Sequence, residues 1–338
     1  MKTLPASFSD HIGRPIWKMN TSLLINKLVK QNFQALYQHL RYKKRYYQST
    51  SLWWEDLVKP NIKKYFSVQG KEESKIKYGM LNYLEYKLRS QYEISNTSGI
   101  INKERIDSIK SRIDSIRDDM AKGVKVRTRL QDTLNGENIS SYLIAKQKEL
   151  ASNKIITCLT TENDIILNNH QDIHHHASDF YKTLYSKSSC NTEKQNHFLS
   201  YINNELNDED RQMLSAPITK DEIYKIITDI SSNKTPGIDG IPIEFYMELW
   251  SDISEDILEM FNNVLHSGVL TRSQRRAIIN IIPKNLDSTY ITNFRPISLL
   301  CVDYKILSKL LSQRMKEILC KIIYSKQFCA VKDLVKCL

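Results

Sequence analysis

Apolar residues between Thr21 and Glu93 recur at mixed spacings of 3 and 4: Leu23, Leu24, Leu28, Phe33, Leu36 and Leu40, then Trp53, Leu57, Ile62 and Phe66, then Leu81, Leu84 and Leu88. That is the period of helices with one buried face. Trp53 and Trp54 are adjacent, and neighbours on a helix point in different directions, so one is expected in the core and one at its rim. Asn96 to Gly99 is a break of small polar residues. Ile106, Ile109, Ile113, Ile116 and Met120 follow at spacings of 3, 4, 3 and 4. This seam covers about two heptads, short of a coiled coil, and predicts a helical hairpin with the preceding helix. Asp118 and Asp119 lie on its polar side and read as solvated charge.

The second half mixes helices with short strands. Ile155–Leu159 and Asp164–Leu167 flank a polar turn and predict a hairpin. Ser186 to Asn196 reads as a linker. Thr219 and Glu222 form a capping box that opens a helix through Ile223, Ile226, Ile227 and Ile230. Pro236-Gly237 then marks a turn, and Asp239-Gly240 a second bend with positive φ at the glycine. Pro242 suits the first turn of a helix carrying Ile243, Phe245, Tyr246, Leu249 and Trp250 on its buried side. The next helix runs to His266 and closes on Gly268. Ala277–Pro283 and Phe294–Leu300 predict two strands joined by Asn285–Thr292, with Lys284 and Arg295 at their facing ends. Lys305–Leu319 predicts an amphipathic helix. The fold class is therefore mainly α with a small antiparallel β element.

Charge and cysteines narrow the picture. The 338 residues carry 49 basic and 38 acidic side chains, a net charge of +11. Such basicity fits a polyanion such as nucleic acid, although a merely soluble basic protein has the same balance. Cys158, Cys190, Cys301, Cys320, Cys329 and Cys337 show no Cys-x-x-Cys pair. With no signal peptide in the sequence, they predict free thiols in a reducing compartment, cytoplasm or nucleus. No apolar run reaches membrane-spanning length.

Three stretches are candidates for chemistry. Arg41-Tyr42-Lys43-Lys44-Arg45-Tyr46-Tyr47 interleaves cations with aromatic rings. It reads either as a surface for phosphates and bases or as a solvated basic helix face. Lys122, Lys125, Arg127 and Arg129 crowd beside Gly123. They suit backbone phosphates, or a helix C-terminus whose dipole they complement. His174-His175-His176 point three ways on a helix and are poor convergent metal ligands. No metal site is expected.

The blocks NKTPGIDGIPIEFY, INIIPK and NFRPISLLCVDYKILSKLLSQRMKEIL, in that order, resemble the fingers of reverse transcriptases from LINE-type (non-LTR) retrotransposons. Ser9-Asp10-His11 resembles the closing triplet of that family's endonuclease. His11 stands without partner carboxylates and reads as a vestige. By this resemblance, residues 1–20 are an endonuclease remnant and 21–190 a helical connector with a hairpin near 155–167. Residues 200–328 are then the fingers, and 329–338 a divergent tail.

The resemblance implies that Lys284 and Arg295 meet the triphosphate of an incoming nucleotide. It implies a template contact at Asn233, Lys234, Gly237, Asp239 and Gly240, joined by Arg127 and Arg129 of the connector. The family binds magnesium on aspartates from two later blocks that do not occur in these 338 residues. The expectation is a fragment without polymerase catalysis, without a cofactor of its own, that binds RNA or DNA. The competing expectation is a helical protein-interaction module with no nucleic-acid role.

Overall fold

The computed structural model describes residues 16–99, 101–128, 156–187, 190–201, 206–285 and 288–323. Among these, helices dominate, and two antiparallel two-stranded sheets complete the fold. This is the mainly α architecture with a small β element that the apolar spacing predicts.

The chain divides into two compact units. One comprises residues 1–67, 177–288 and 292–338, and the other 68–176 with 289–291. Residues 21–67 thus share a unit with the fingers-like stretch, although they precede it by more than a hundred positions in sequence.

The first unit is built on one apolar core. Asn26 accepts from the Leu28 and Val29 amides and starts the helix Lys27–Tyr42, whose Phe33, Tyr37 and Leu40 are buried. Phe33 stacks edge-on with Phe245 at 5.6 Å and lies 5.3 Å from Phe66, so the first helix and the residues after the Pro-Gly loop close on each other. The capping box at Thr219 and Glu222 forms as expected and opens the helix Lys220–Asp229. Ile223, Ile226 and Ile227 face the same core. Helices Ile243–Glu248, Trp250–Ser267 and Val302–Ile322 complete it. Gly268 closes the second of these at φ 66°, a left-handed cap that costs glycine little.

Trp53 and Trp54 depart from the expected split: both are fully buried. The cause is local winding. The helix Thr50–Trp53 opens into a π-helical turn at Trp54–Val58 before continuing as Lys59–Ser98. Pro60 has no N–H to donate and would crowd the carbonyl four residues back. The wide turn lets the Lys59 N–H reach Trp54 O instead. Neighbouring tryptophans then both turn inward.

The second unit contains the predicted helical hairpin. Leu84 packs on Ile109 and Ile113, flanked by Leu81, Leu88 and Ile116, between Lys59–Ser98 and Lys103–Thr128. Arg117 and Glu85 pair across them at 2.9 Å. Asp118 and Asp119 are exposed, as the heptad pattern predicts. The small sheet pairs β1 (Leu159–Thr160) with β2 (Ile166–Leu167), inside the predicted hairpin. Thr289 and Tyr290 join it, the Thr160 N–H donating to Thr289 O at 2.9 Å.

Candidate functional site

The loop of residues 231–240 is shaped by two close approaches of backbone to backbone. A Cβ on Gly237 would lie 2.4 Å from Cys301 N, and one on Gly240 would lie 2.2 Å from Trp17 O. No other residue fits either position without displacement. Gly240 sits at φ 72°, as the Asp-Gly pair predicts, and its carbonyl accepts from the Met19 N–H at 3.0 Å. Asn233 also takes a positive φ of 60°, and its N–H donates to Glu244 Oε1 at 2.5 Å. Pro236 and Gly237 are buried, while Asn233, Lys234 and Ile238 face solvent. The loop is thus wedged between residues 17–19 on one side and the start of Val302–Ile322 on the other.

A buried polar knot lies beneath it. Lys59, held by the end of the π turn, places its ammonium 2.7 Å from Asp303 Oδ2, 3.0 Å from Asp239 Oδ2 and 3.7 Å from Glu55 Oε2. It also donates to Ser273 Oγ at 2.6 Å, and that hydroxyl donates onward to Glu55 Oε2 at 2.6 Å. The Ser273 N–H takes the other Glu55 oxygen at 2.8 Å. Gln274 Nε2 and the Tyr304 N–H complete the Asp303 carboxylate. Asp239 Oδ1 accepts from the Ile241 N–H, while its Oδ2 is held by charge without an aligned donor. Asp239 therefore turns inward, and what it fixes is the shape of the loop.

The charges here do not balance: Glu55, Asp239 and Asp303 surround one buried ammonium. Burial pulls the Lys59 pKa down, but Asp303 and Asp239 more than offset it, so the ammonium is held above the ordinary lysine value. Burial pushes Asp239 above the usual carboxylate range, and the neighbouring Asp303 adds to this against the pull of Lys59. Burial, with help from Asp239, pushes the Cys301 thiol up to about 12. Tyr246 is raised well above an ordinary phenol by burial and then by Asp303 and Asp239, and its hydroxyl has no hydrogen-bond partner. Ligand atoms of Asp239, Cys301 and Asp303 all lie within 4.8 Å of one another. The ammonium already holds both carboxylates and the thiol keeps its proton, so the set suits a structural clamp better than a metal.

Lys284 and Arg295 come from the ribbon of β3 (Ala277–Pro283) and β4 (Phe294–Leu300). The register sets Ile282 opposite Arg295, and the Lys284 N–H extends the ladder to Asn293 O at 2.8 Å. Alternation along the strand puts Lys284 on the same face as Ile282, hence on the face of Arg295. Both side chains are exposed, and Lys284 Nζ donates to Thr292 O at 2.9 Å. The exit of β4 at Leu300 and Cys301 is the backbone that Gly237 abuts. Ribbon and loop are joined there.

Arg127 lies in the helix Lys103–Thr128, with its side chain outside the described residues, as are Arg129 and His11 altogether. In the Arg41–Tyr47 stretch, Arg41 and Lys44 pair with the buried Asp256 at 3.4 and 2.7 Å. Those two cations serve the core. Sequence reasoning missed Glu55, Lys59, Ser273, Gln274 and Asp303. The only signal for the first two was an acid and a base four apart beside two tryptophans and before a proline.

No protein-family model matches the chain. It is similar to the transposon TX1 uncharacterized 149 kDa protein of Xenopus laevis, with 28% identity over 319 residues, covering 92% of this chain and 24% of that protein. The chain thus spans about a quarter of the length of the curated relative it matches.

Proposed function

We propose that the chain derives from a non-LTR retrotransposon and forms the fingers part of a reverse transcriptase, holding nucleic-acid backbone and the triphosphate of an incoming nucleotide. The observation that carries this reading is the junction at Gly237 and Cys301, where the Pro-Gly loop meets the end of the strand bearing Arg295. Similarity along most of the chain to a protein named for a transposon supports the mobile-element origin. Arg295 suits a triphosphate because its planar guanidinium offers paired donors, and Lys284 adds a point charge on the same ribbon face. Asn233 and Lys234 are the exposed loop positions that reach a template backbone, while Gly237, Asp239 and Gly240 shape the loop. No step of DNA synthesis is assigned to these residues. In the family that chemistry needs magnesium held by aspartates of other blocks.

Titration with single-stranded RNA at several salt concentrations tests the reading. Affinity is expected to fall steeply with salt. Replacing Lys234 by glutamine should flatten the slope by about 0.7 if it contacts one phosphate, whereas replacing Lys284 and Arg295 together by glutamine should leave RNA binding in place and weaken binding of a nucleoside triphosphate. Salt-independent binding, or none, would overturn the proposal and favour a helical protein-interaction module.

A further inference from the structure

The turn Lys43–Tyr46 follows the first long helix and carries an arrangement that the loop and ribbon do not use. The Arg45 guanidinium carbon lies 3.9 Å from the centre of the Tyr42 ring and 4.9 Å from that of Tyr46. Its Nη2 also donates to both phenol oxygens, at 2.9 Å to Tyr46. One cation therefore fixes two rings. Both rings remain largely open to solvent, 61% and 71% exposed. A buried pair of this kind would be core packing, but an exposed pair held by a guanidinium leaves ring surface open to a ligand.

The charges sort themselves in the same way. Lys44 is drawn inward to Asp256 and Glu259, and Arg41 to Asp256. Lys43 and Arg45 have no ion-pair partner among the described residues, and both are exposed. Arg45 also stands on the wall of a groove of about 860 Å³, whose lining mixes Gln48, Asn263 and His266 with Leu52, Val269 and Leu270. An aromatic pair and two unneutralised cations lie together, and Arg45 joins them to the groove.

We propose that Tyr42 and Tyr46, fixed by Arg45, form a stacking platform for the bases of single-stranded nucleic acid, with Lys43 and Arg45 meeting the phosphates. Stacking on tyrosine suits every base, because each has a π face, and it discriminates against a backbone without bases. A ring already held by a cation loses little freedom when a base settles on it. The proposal shares its class of partner with the reading above but uses none of the same residues.

The test uses the full chain, a short oligo(rA), and an abasic strand of the same length. Tyr42→Leu/Tyr46→Leu keeps every charge and should weaken oligo(rA) binding roughly tenfold or more with an unchanged salt slope. The unmodified protein should bind the abasic strand about as weakly as this variant binds oligo(rA). That second arm needs no substitution and so is independent of any loss of folding. Lys43→Gln/Arg45→Gln should instead flatten the slope, by about 0.7 per phosphate contact. Equal affinity of the unmodified protein for abasic and normal strands would overturn the platform, as would full binding by the tyrosine variant. If either result came with strand binding that still depended on Lys234, only the platform would fall. No binding to any strand would remove both proposals.

Discussion

Lys59 Nζ sits 2.7 Å from Asp303 Oδ2, and neither side chain reaches solvent. The contact joins the end of a π turn near the start of the chain to the first turn of the last described helix. Asp239 and Glu55 complete the ring around it. The loop that carries the Pro-Gly turn is therefore held by a cation delivered from another helix.

Replacing that cation leaves Asp239 and Asp303 buried without a counter-charge, and Glu55 with only Arg272, 3.8 Å away. Lys59→Met should destabilise the first unit by about 3–5 kcal/mol, the usual range for breaking a buried pair from one side. Urea unfolding followed by tryptophan fluorescence would measure it, since Trp53 and Trp54 lie in the same core. A loss under about 1 kcal/mol would mean the knot is not held by charge.

Two glycines with nearly the same φ should respond differently to alanine. At Gly268 a Cβ meets nothing within 4 Å, so the cost is conformational alone, about 1 kcal/mol. At Gly240 the same atom would stand 2.2 Å from Trp17 O, so the loop or residues 17–19 must move. Gly240→Ala should cost clearly more than Gly268→Ala in chemical denaturation. Equal losses would show that the Trp17 contact yields freely.

Arg314 donates to both oxygens of Glu222 at 2.9 Å and to the carbonyls of Leu214, Ala216 and Pro217. This donation from Arg314 is the main reason that the Glu222 carboxyl is held below the ordinary 4.5, with burial opposing it and the Thr219 cap assisting. A lowered carboxylate adds stability that is complete above its unfolded value and is lost as pH falls through the native one. Stability of the wild type should thus decline as pH drops below about 4.5. Arg314→Lys should lower neutral-pH stability by roughly 1–3 kcal/mol and flatten that acid limb. An acid limb of unchanged steepness would assign it to other carboxylates.

Cys301 is fully buried with its pKa pushed up to about 12, whereas Cys190 is exposed. Alkylation by iodoacetamide near neutral pH should label the Cys190 peptide before the Cys301 peptide. The Cys301 peptide should react only on a timescale set by unfolding. Peptide mass spectrometry at timed points reads the order directly, and simultaneous labelling would contradict the packing around Cys301.

Short-range chemistry was legible from the sequence, and long-range chemistry was not. The capping box at Thr219, the Asp-Gly bend at Gly240, the left-handed cap at Gly268, the β3–β4 hairpin and the Ile109–Ile113 seam each depend on neighbours a few positions away. Their residue types carry the signal. Lys59 and Asp303 carry none, because a lysine before a proline and an aspartate at a helix start are ordinary residues until the fold brings them together. The tryptophan pair was misjudged for a related reason: period 3.6 assumes regular winding, and Pro60 breaks that assumption. Asp239 was visible as a turn residue, but whether it faces a ligand or the core depended on a helix some 180 positions earlier.

The widened turn at Trp54–Val58 also fixes the reading frame of its helix. An α-helix advances about 100° per residue, so one residue too many or too few turns every later side chain by that angle. The extra residue in this turn lets Trp53 before it and Ile62 and Phe66 after it share one core. Forcing ordinary winding on the same residues would turn Lys59 away from its carboxylates by about that angle, although no contact residue had been changed. What the helix requires at this point is the wide turn itself, as much as the side chains that it carries.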